Sequence, residues 1–286
     1  MMEPFRERTS AKGPSLFLLS SWVKQYKGLT AGFTGRNGGV SGPPWNSLNV
    51  GLHVGDRPED AVRNRRIVAE AIGWPFEAWT CAEQVHGDRV HAIGADEKGS
   101  GRESTESAIP AADAIMTAEP GVLLVSFYAD CVPLYFYDPE RGVIALAHAG
   151  WKGTALEIAS RTVEAMTSVY GSRPSAIRAA IGPSIGGCCY EVDEPVIARM
   201  EPLVRSLAGI SGISGDRPAI IPTGEGKARL DLKEMNRQIM IKAGIMPIHI
   251  EMSQWCTACR TDLFFSFRAE GGRTGRMASW IGIGME

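Results

Sequence analysis

The feature that most limits how this chain can fold is a series of short apolar runs that recur along its whole length. They are rich in β-branched and aromatic residues and end at Gly, Pro or Asp, which is typical of β-strands. They mix with helical segments without strict alternation, so we predict a mixed α+β sandwich and not a doubly wound parallel sheet. The ten predicted strands cover residues 29–33, 79–85, 114–117, 122–127, 134–137, 143–147, 176–181, 248–252, 264–267 and 278–283.

Four longer segments have the end signals of helices, such as the Pro58 start and Gly73 stop of the first. In that segment Ala61, Arg65 and Val68 fall on one face, so an arginine lies within an apolar stripe. This arginine either pairs with a structural carboxylate or points inward at an anionic ligand. The predicted helices cover residues 58–72, 154–170, 195–207 and 232–243.

The length of 286 residues is enough for one large domain or two small ones. The net charge is −2 with no long single-sign run, which argues against a nucleic-acid-binding surface. The first apolar run, at 16–19, is too short for a secretion signal or a membrane span. Six cysteines, two of them adjacent, do not form a recognisable disulfide framework, so we expect a cytoplasmic protein. We also expect a monomer.

Three metal-binding residue types stand where apolar runs end. His86 and Cys131 follow the runs at 79–85 and 122–129, and His148 ends the run at 143–147. Two imidazoles and one thiolate suit zinc, and three protein ligands leave a fourth position for water or substrate. The pattern predicts a catalytic zinc centre; the alternative is two buried histidines and a small apolar cysteine.

Several motifs around these residues resemble the YfiH/YlmD proteins, also called the laccase-domain or polyphenol-oxidase family. The similarity runs in order from about residue 32 to residue 284. The matching stretches are Asn46-Ser47-Leu48-Asn49-Val50-Gly51, Gln84-Val85-His86-Gly87, Ala129-Asp130-Cys131-Val132-Pro133, His148-Ala149-Gly150-Trp151-Lys152-Gly153, residues 182–192, Phe265-Ser266-Phe267-Arg268 and Thr274-Gly275-Arg276-Met277.

The resemblance implies a single-domain α/β/β/α sandwich over residues 1–286, with its core at about 29–284. It also implies a zinc ion held by His86, Cys131 and His148, which are the implied catalytic residues as well. It further implies a purine nucleoside phosphorylase acting on adenosine, inosine, guanosine and methylthioadenosine with phosphate, together with deamination of adenosine. Lys152 stands where the family commonly has arginine, so the charge is kept but the bidentate fork is lost.

Phosphorolysis requires cations for phosphate and polar groups for the nucleoside. We expect Arg65 and Lys152 to bind phosphate, with Arg36 and Arg268 behind them. Gln84 lies two residues before His86, so in a strand both side chains would share a face. We assign substrate binding to Gln84 and Asn46; the alternatives are a buried structural amide and a turn residue.

Deamination would require a proton carrier near the zinc, and the chain lacks the His-x-Glu and Pro-Cys-x-x-Cys signature of nucleobase deaminases. Asp130, Asp88 and Glu83 are the candidates, each with the alternative of an ordinary hydrogen-bond partner.

Two cysteine pairs lie outside the zinc residues. Cys256 and Cys259 are interpreted as a structural thiol plus an incidental one; the alternative is a redox pair or a second metal-binding pair. Cys188 and Cys189 are not expected to point into one pocket, because neighbours on an extended backbone face opposite ways.

Three other functions remain open. Cys131 with His148 as base would suit a cysteine hydrolase, for which relatives are linked to peptidoglycan-precursor editing. Copper at the same ligands would give oxidase activity in vitro, although five histidines with no His-x-His pair cannot build a multicopper relay. The third is a non-catalytic partner in cell-wall assembly or division.

Overall fold

The computed structural model describes residues 2–8, 13–210 and 218–285. These residues form fifteen strands and six α-helices. The strands are β1 (Phe5–Arg8), β2 (Leu16–Leu19), β3 (Leu29–Thr34), β4 (Trp79–Cys81), β5 (Val90–Ala92), β6 (Ala114–Thr117), β7 (Leu123–Tyr128), β8 (Val132–Asp138), β9 (Val143–Ala149), β10 (Arg178–Ile181), β11 (Glu191–Asp193), β12 (Ile220–Gly224), β13 (Lys227–Leu230), β14 (Ile250–Met252) and β15 (Met277–Ile283). The helices are α1 (Ser20–Gln25), α2 (Pro58–Ala71), α3 (Trp151–Ala155), α4 (Ile158–Tyr170), α5 (Glu194–Leu207) and α6 (Leu232–Lys242).

Two six-stranded sheets form the body of the fold. The first has the order β1-β2-β3-β15-β7-β4, and the second has the order β14-β10-β8-β9-β6-β5. Most neighbours are antiparallel, but β4 runs parallel to β7, β5 to β6 and β14 to β10. A small third sheet, β11-β13-β12, lies beside them.

The sheets pack face to face because alternate residues of each strand turn inward. In β7, Leu124 joins the cluster shared with Leu146 of the second sheet, whereas Leu123 and Val125 join an outer cluster with Val68 of α2. The outer face of the second sheet is covered by α4 and α6. The layers are therefore α/β/β/α, and the predicted mixed α+β sandwich is confirmed.

Several predicted boundaries are wrong for local reasons. Residues 264–267 are irregular and do not form a strand, although Phe264 and Phe265 are fully buried. The predicted strand at 79–85 ends at Cys81. The predicted helix at 154–170 is two helices, since Glu157 adopts a left-handed conformation with φ 56° between α3 and α4. Within the described ranges, no helix is long and apolar enough to cross a bilayer.

Candidate metal centre and active-site cavity

The ends of β7 and β9 place two of the predicted metal ligands side by side. Cys131 occupies the turn between β7 and β8, and His148 lies in β9 opposite Pro133 of β8. His86 comes from the loop after β4, where its φ is 60°. The two imidazole rings are 4.8 Å apart between centroids, and His86 Nε2 lies 3.9 Å from Cys131 Sγ.

This donor set fits a divalent metal. One ligand atom from each of His86, Cys131 and His148 lies within 4.8 Å of the others. Tetrahedral zinc would separate a nitrogen and a sulfur ligand by roughly 3.6 Å, close to the observed spacing. His148 uses Nδ1 for a 2.8 Å contact with Asp113, which leaves its Nε2 for the metal.

Asp113 contacts both the loop of His86 and the side chain of His148, and it was not predicted from the sequence. Its carboxylate accepts hydrogen bonds from the backbone N–H groups of Val85, His86 and Gly87 at 3.1, 3.0 and 2.6 Å. It also contacts His148 Nδ1, so one carboxylate orients an imidazole and fixes the loop that carries the other. Its position one residue before β6 was the available signal, since other ligands also stand at strand ends.

The charges of Cys131 and His148 are coupled. Burial alone would raise the pKa of the Cys131 thiol, but the facing imidazoles of His148 and His86 lower it to about 6. Burial would lower the pKa of His148, but the Cys131 thiolate and Asp113 raise it to about 9. Without a metal, the pair is therefore a thiolate and an imidazolium near neutral pH.

Gly150 leaves room for the ligands. A Cβ at this position would lie 3.0 Å from Cys131 Sγ and 3.1 Å from His86 Cδ2. Contacts this short would require the ligands to move, so the backbone approach depends on the missing side chain.

The three ligands open onto a cavity of about 890 Å³, a volume suited to a small organic molecule. Its wall combines cations with aromatic rings. The cationic lining residues are Arg65, Lys152, Arg268 and Arg276, and the aromatic ones are Phe127, Trp151, Tyr190 and Phe267.

Arg65 lines this cavity, but neither predicted role, pairing with a structural carboxylate or pointing at an anionic ligand, describes its contacts fully. Its side chain is 2% exposed and donates to the backbone carbonyls of Val50, Gly101 and Arg102 at 2.8–2.9 Å. No carboxylate pairs with it among the described contacts. Arg65 thus joins α2 to two loops, and only the rest of its guanidinium is available to a ligand.

Of the three other cations proposed to bind phosphate, two line the cavity and one does not. Lys152 is exposed at the cavity, with Nζ 5.7 Å from the Trp151 ring. Arg268 also lines the cavity and donates to the Glu191 carbonyl. Arg36 is absent from the cavity wall, because its guanidinium pairs with Glu270 at 2.9 Å and donates to the Thr261 carbonyl.

The two amide side chains assigned to substrate binding, Gln84 and Asn46, also differ in their position relative to the cavity. Gln84 lines the cavity, but its amide pairs in both directions with the Phe127 backbone at 2.7 and 2.9 Å, so the structural alternative holds for those atoms. Gln84 and His86 do not share a strand face, since β4 ends before them. Asn46 is exposed in a loop and is not part of the cavity wall, so its assignment to substrate binding stays a prediction.

Of the three predicted proton carriers, Glu83 and Asp130 line the cavity. Asp130, at φ 85°, accepts hydrogen bonds from Thr257 Oγ1, Ser266 Oγ and the Arg268 N–H, so its carboxylate fixes the turn before Cys131. Asp88 lies 3.7 Å from Arg161 and does not line the cavity. Of these three acids, Glu83 alone is both exposed and part of the cavity wall.

Two further cavity residues were not predicted as ligand-binding groups. Arg276 stands immediately before β15, and burial lowers its pKa. His53 lies near Arg276 and Arg65 in the same wall. Arg276 falls within a motif that the sequence analysis quoted, and a cation beside a strand end was the signal that could have identified it.

Comparison with known proteins identifies the family of this chain. The chain is 40% identical over 273 residues to the purine nucleoside phosphorylase YlmD of Bacillus subtilis (94% of this chain, 95% of that protein). It is 43% identical over 257 residues to the protein of that name from Geobacillus stearothermophilus (90% and 91%). The crystal structure of YlmD from Geobacillus stearothermophilus superposes with a TM-score of 0.89 at 40% identity over 99% of this chain and 100% of that chain.

The Bacillus licheniformis hypothetical protein YfiH superposes with a TM-score of 0.88 at 42% identity, over 97% of this chain and 99% of that chain. The family described as multi-copper polyphenol oxidoreductase laccase matches residues 30–284. That match covers the strands and loops that carry the metal centre and most of the cavity wall. The chain therefore belongs to this laccase-domain family, together with the YfiH and YlmD proteins.

Proposed function

We propose that this protein is a zinc-dependent purine nucleoside phosphorylase. The observation that carries the proposal is that one cavity joins a three-ligand metal centre to several cations and aromatic rings. The names of the YlmD relatives support the same reaction. Adenosine, inosine, guanosine and methylthioadenosine are the proposed substrates.

Cations in the cavity wall provide the phosphate site in this proposal. Lys152 is exposed there, whereas Arg65, Arg268 and Arg276 each use part of their guanidinium on backbone carbonyls. Lys152 is therefore the cation most available to an incoming phosphate. Phe127, Tyr190 and Phe267 offer faces on which a purine can stack.

The reaction forms a bond between a phosphate oxygen and ribose C1′ and breaks the bond from C1′ to the purine N9. The bonding electrons leave with the base, which takes up a proton to become the free purine; ribose 1-phosphate is the other product. The cations orient phosphate and the aromatic wall excludes water from the sugar. Zinc, when bound to His86, Cys131 and His148, supplies a Lewis acid at the cavity.

The direct test supplies inosine and phosphate to zinc-loaded protein and measures hypoxanthine and ribose 1-phosphate by chromatography. We expect phosphate-dependent formation of both products in equal amounts, and its loss in Cys131→Ala. Inosine that stays intact, or hypoxanthine formed with free ribose and no phosphate dependence, would refute phosphorolysis.

Lys152 can be tested separately. Replacing Lys152 with Ala should raise the phosphate KM roughly 10- to 100-fold, since a charged hydrogen bond contributes about 1.5–3 kcal/mol. Lys152→Arg should recover most of the affinity for phosphate. Lys24→Ala, at an exposed position of α1, should leave the phosphate KM unchanged. An unchanged phosphate KM in Lys152→Ala would remove this lysine from the site.

Adenosine deamination is proposed as a second activity of the same cavity, favoured by the position of Glu83. This exposed acid lines the cavity that contains the metal centre. Glu83→Gln should reduce conversion of adenosine to inosine more than it reduces phosphorolysis of inosine. Equal loss of both reactions would remove Glu83 as a proton carrier specific to deamination.

A cysteine hydrolase is the alternative that the geometry favours most, because Cys131 faces His148 and His148 contacts Asp113. The metal distinguishes the two functions, since bound zinc sequesters the thiolate. Activity that persists in metal-free protein and is abolished by alkylating Cys131 would favour the hydrolase. Polyphenol oxidation with copper at the same ligands would appear as oxidase activity only after copper loading.

A further inference from the structure

Four of the five other cysteines form a second cluster, so the expectation that Cys188 and Cys189 do not point into one pocket is wrong. Cys188 and Cys189 follow β10, and Cys256 and Cys259 follow β14, the parallel neighbour of β10. An isolated bridge between Ser184 and Cys256 holds the two loops together. One sulfur atom from each of the four cysteines lies within 4.8 Å of the others.

The local backbone explains how adjacent cysteines face the same point. Residues 187–189 form a turn, in which the N–H groups of Cys189 and Tyr190 both donate to the Gly186 carbonyl at 2.9 and 3.1 Å. The expectation that Cys188 and Cys189 diverge assumed an extended backbone, which this turn replaces. Cys256 and Cys259 lie on a second turn with the C-x-x-C spacing of zinc ligands.

The sulfur distances fit coordination to a common metal ion. Cys189 Sγ and Cys188 Sγ lie 3.3 and 3.6 Å from Cys259 Sγ. A tetrahedral zinc with four thiolates would place its sulfurs roughly 3.8 Å apart, whereas a disulfide requires about 2.05 Å. Small movements of the side chains would therefore complete the tetrahedron.

The surroundings offset the negative charge that four thiolates would carry. The Gly186 N–H donates to Cys256 Sγ at 3.2 Å. Lys233, 6% exposed, donates to the carbonyls of Ser253 and Trp255 at 3.0 Å, which places a buried ammonium group beside the loop of Cys256. Neighbouring N–H groups and cations stabilise metal-bound sulfur.

We propose that Cys188, Cys189, Cys256 and Cys259 form a structural site that binds one zinc ion through four thiolates. All four coordination positions come from the protein, so this site leaves no place for substrate, unlike the centre at His86, Cys131 and His148. It is independent of the proposed phosphorylase reaction.

A zinc ion bound to the four cysteines would stabilise the two loops that contact Asp130 in the cavity wall. Thr257, next to Cys256, donates to Asp130 Oδ1 at 2.6 Å, and the Ile185 N–H donates to the Asp130 carbonyl at 3.0 Å. Both loops of the cluster therefore contact the residue that precedes Cys131. A metal joining those loops would restrict the turn that presents the Cys131 thiolate.

Native mass spectrometry of the full chain, purified with zinc and reductant, tests the proposal. We expect about two zinc ions in the wild-type protein and about one in Cys259→Ser, Cys188→Ser and Cys131→Ala. Cys81→Ser, which removes a buried cysteine outside both clusters, should keep about two. Equal zinc content in wild type and a folded Cys259→Ser protein would overturn the proposal, as would a disulfide within the cluster under reductant.

A second measurement does not depend on the folding of the serine variants. Cobalt-loaded Cys131→Ala should show the intense sulfur-to-metal charge transfer and d–d bands of tetrahedral cobalt thiolate, because only the four-cysteine site remains intact. Chelation should lower the melting temperature of this variant. A cobalt spectrum without thiolate bands would overturn the proposal even if activity in the wild type proved to be phosphorolysis.

Discussion

At the scale of single residues, the function proposed for this chain depends on how Cys131, His148 and His86 are oriented. The ends of apolar runs in the sequence predicted all three as metal ligands, and in the structure one ligand atom of each lies within 4.8 Å of the others. Asp113 was not identified, because nothing in its local pattern shows that one carboxylate receives the 85–87 loop and His148 together. Long-range contacts of this kind depend on the fold.

Asp113→Asn should weaken zinc binding about 10- to 100-fold, because an amide cannot orient His148 and accept the three backbone N–H groups in the same way. Competition with a fluorescent chelator would measure the loss, with Asp88→Asn, outside the cavity, as control. Unchanged zinc affinity would show that Asp113 does not support the metal ligands.

The metal-free protein should hold Cys131 as a thiolate at neutral pH. Thiolate absorbance in the ultraviolet, taken as the difference between wild type and Cys131→Ala, should titrate with a pKa of about 6. Removing the facing cation in His148→Asn should move the step to higher pH, because burial then raises the pKa of the Cys131 thiol without the opposing charge of His148. A step at the ordinary thiol pKa in the wild-type protein would contradict the coupling.

At the scale of elements, the pattern of helix start and stop signals was sufficient to identify α2, α5 and α6 within a residue or two of their observed bounds. It failed where tertiary packing decides the local conformation. Residues 264–267 are not a strand, although Phe264 and Phe265 are fully buried, and Phe267 is 52% exposed. The position of Arg65 on the apolar face of α2 was predicted, but its carbonyl partners come from loops whose positions periodicity does not encode.

Arg65→Met should therefore destabilise the protein by about 3 kcal/mol, since it leaves buried carbonyls of two loops without their charged donor. Urea unfolding would measure the change. Arg63→Met, exposed on the same helix, should cost less than about 0.5 kcal/mol. Similar effects of the two substitutions would show that Arg65 does not join α2 to these loops.

At the scale of the whole molecule, the two large sheets share one inner core, which supports our proposal that residues 1–286 act as a single domain. Inner residues of β3, β7 and β15 pack with Tyr135, Ile144 and Leu146 of the second sheet. Neither sheet could lose its partner without exposing this apolar surface to water.

Calorimetric unfolding of the zinc-loaded protein should accordingly give one transition, with calorimetric and van't Hoff enthalpies in a ratio of about 1. A ratio well above this value, or two resolved transitions, would indicate that parts of the chain unfold independently. Reversibility on rescanning is the control.

The most direct test of the central claim is the anomalous scattering of zinc-loaded crystals, measured on both sides of the zinc absorption edge. We predict a peak bonded to His86, Cys131 and His148, at about 2.0–2.1 Å from nitrogen and about 2.3 Å from sulfur, with its fourth position open to the cavity. A map with no peak there, or a peak whose fourth ligand is another protein side chain, would contradict the account.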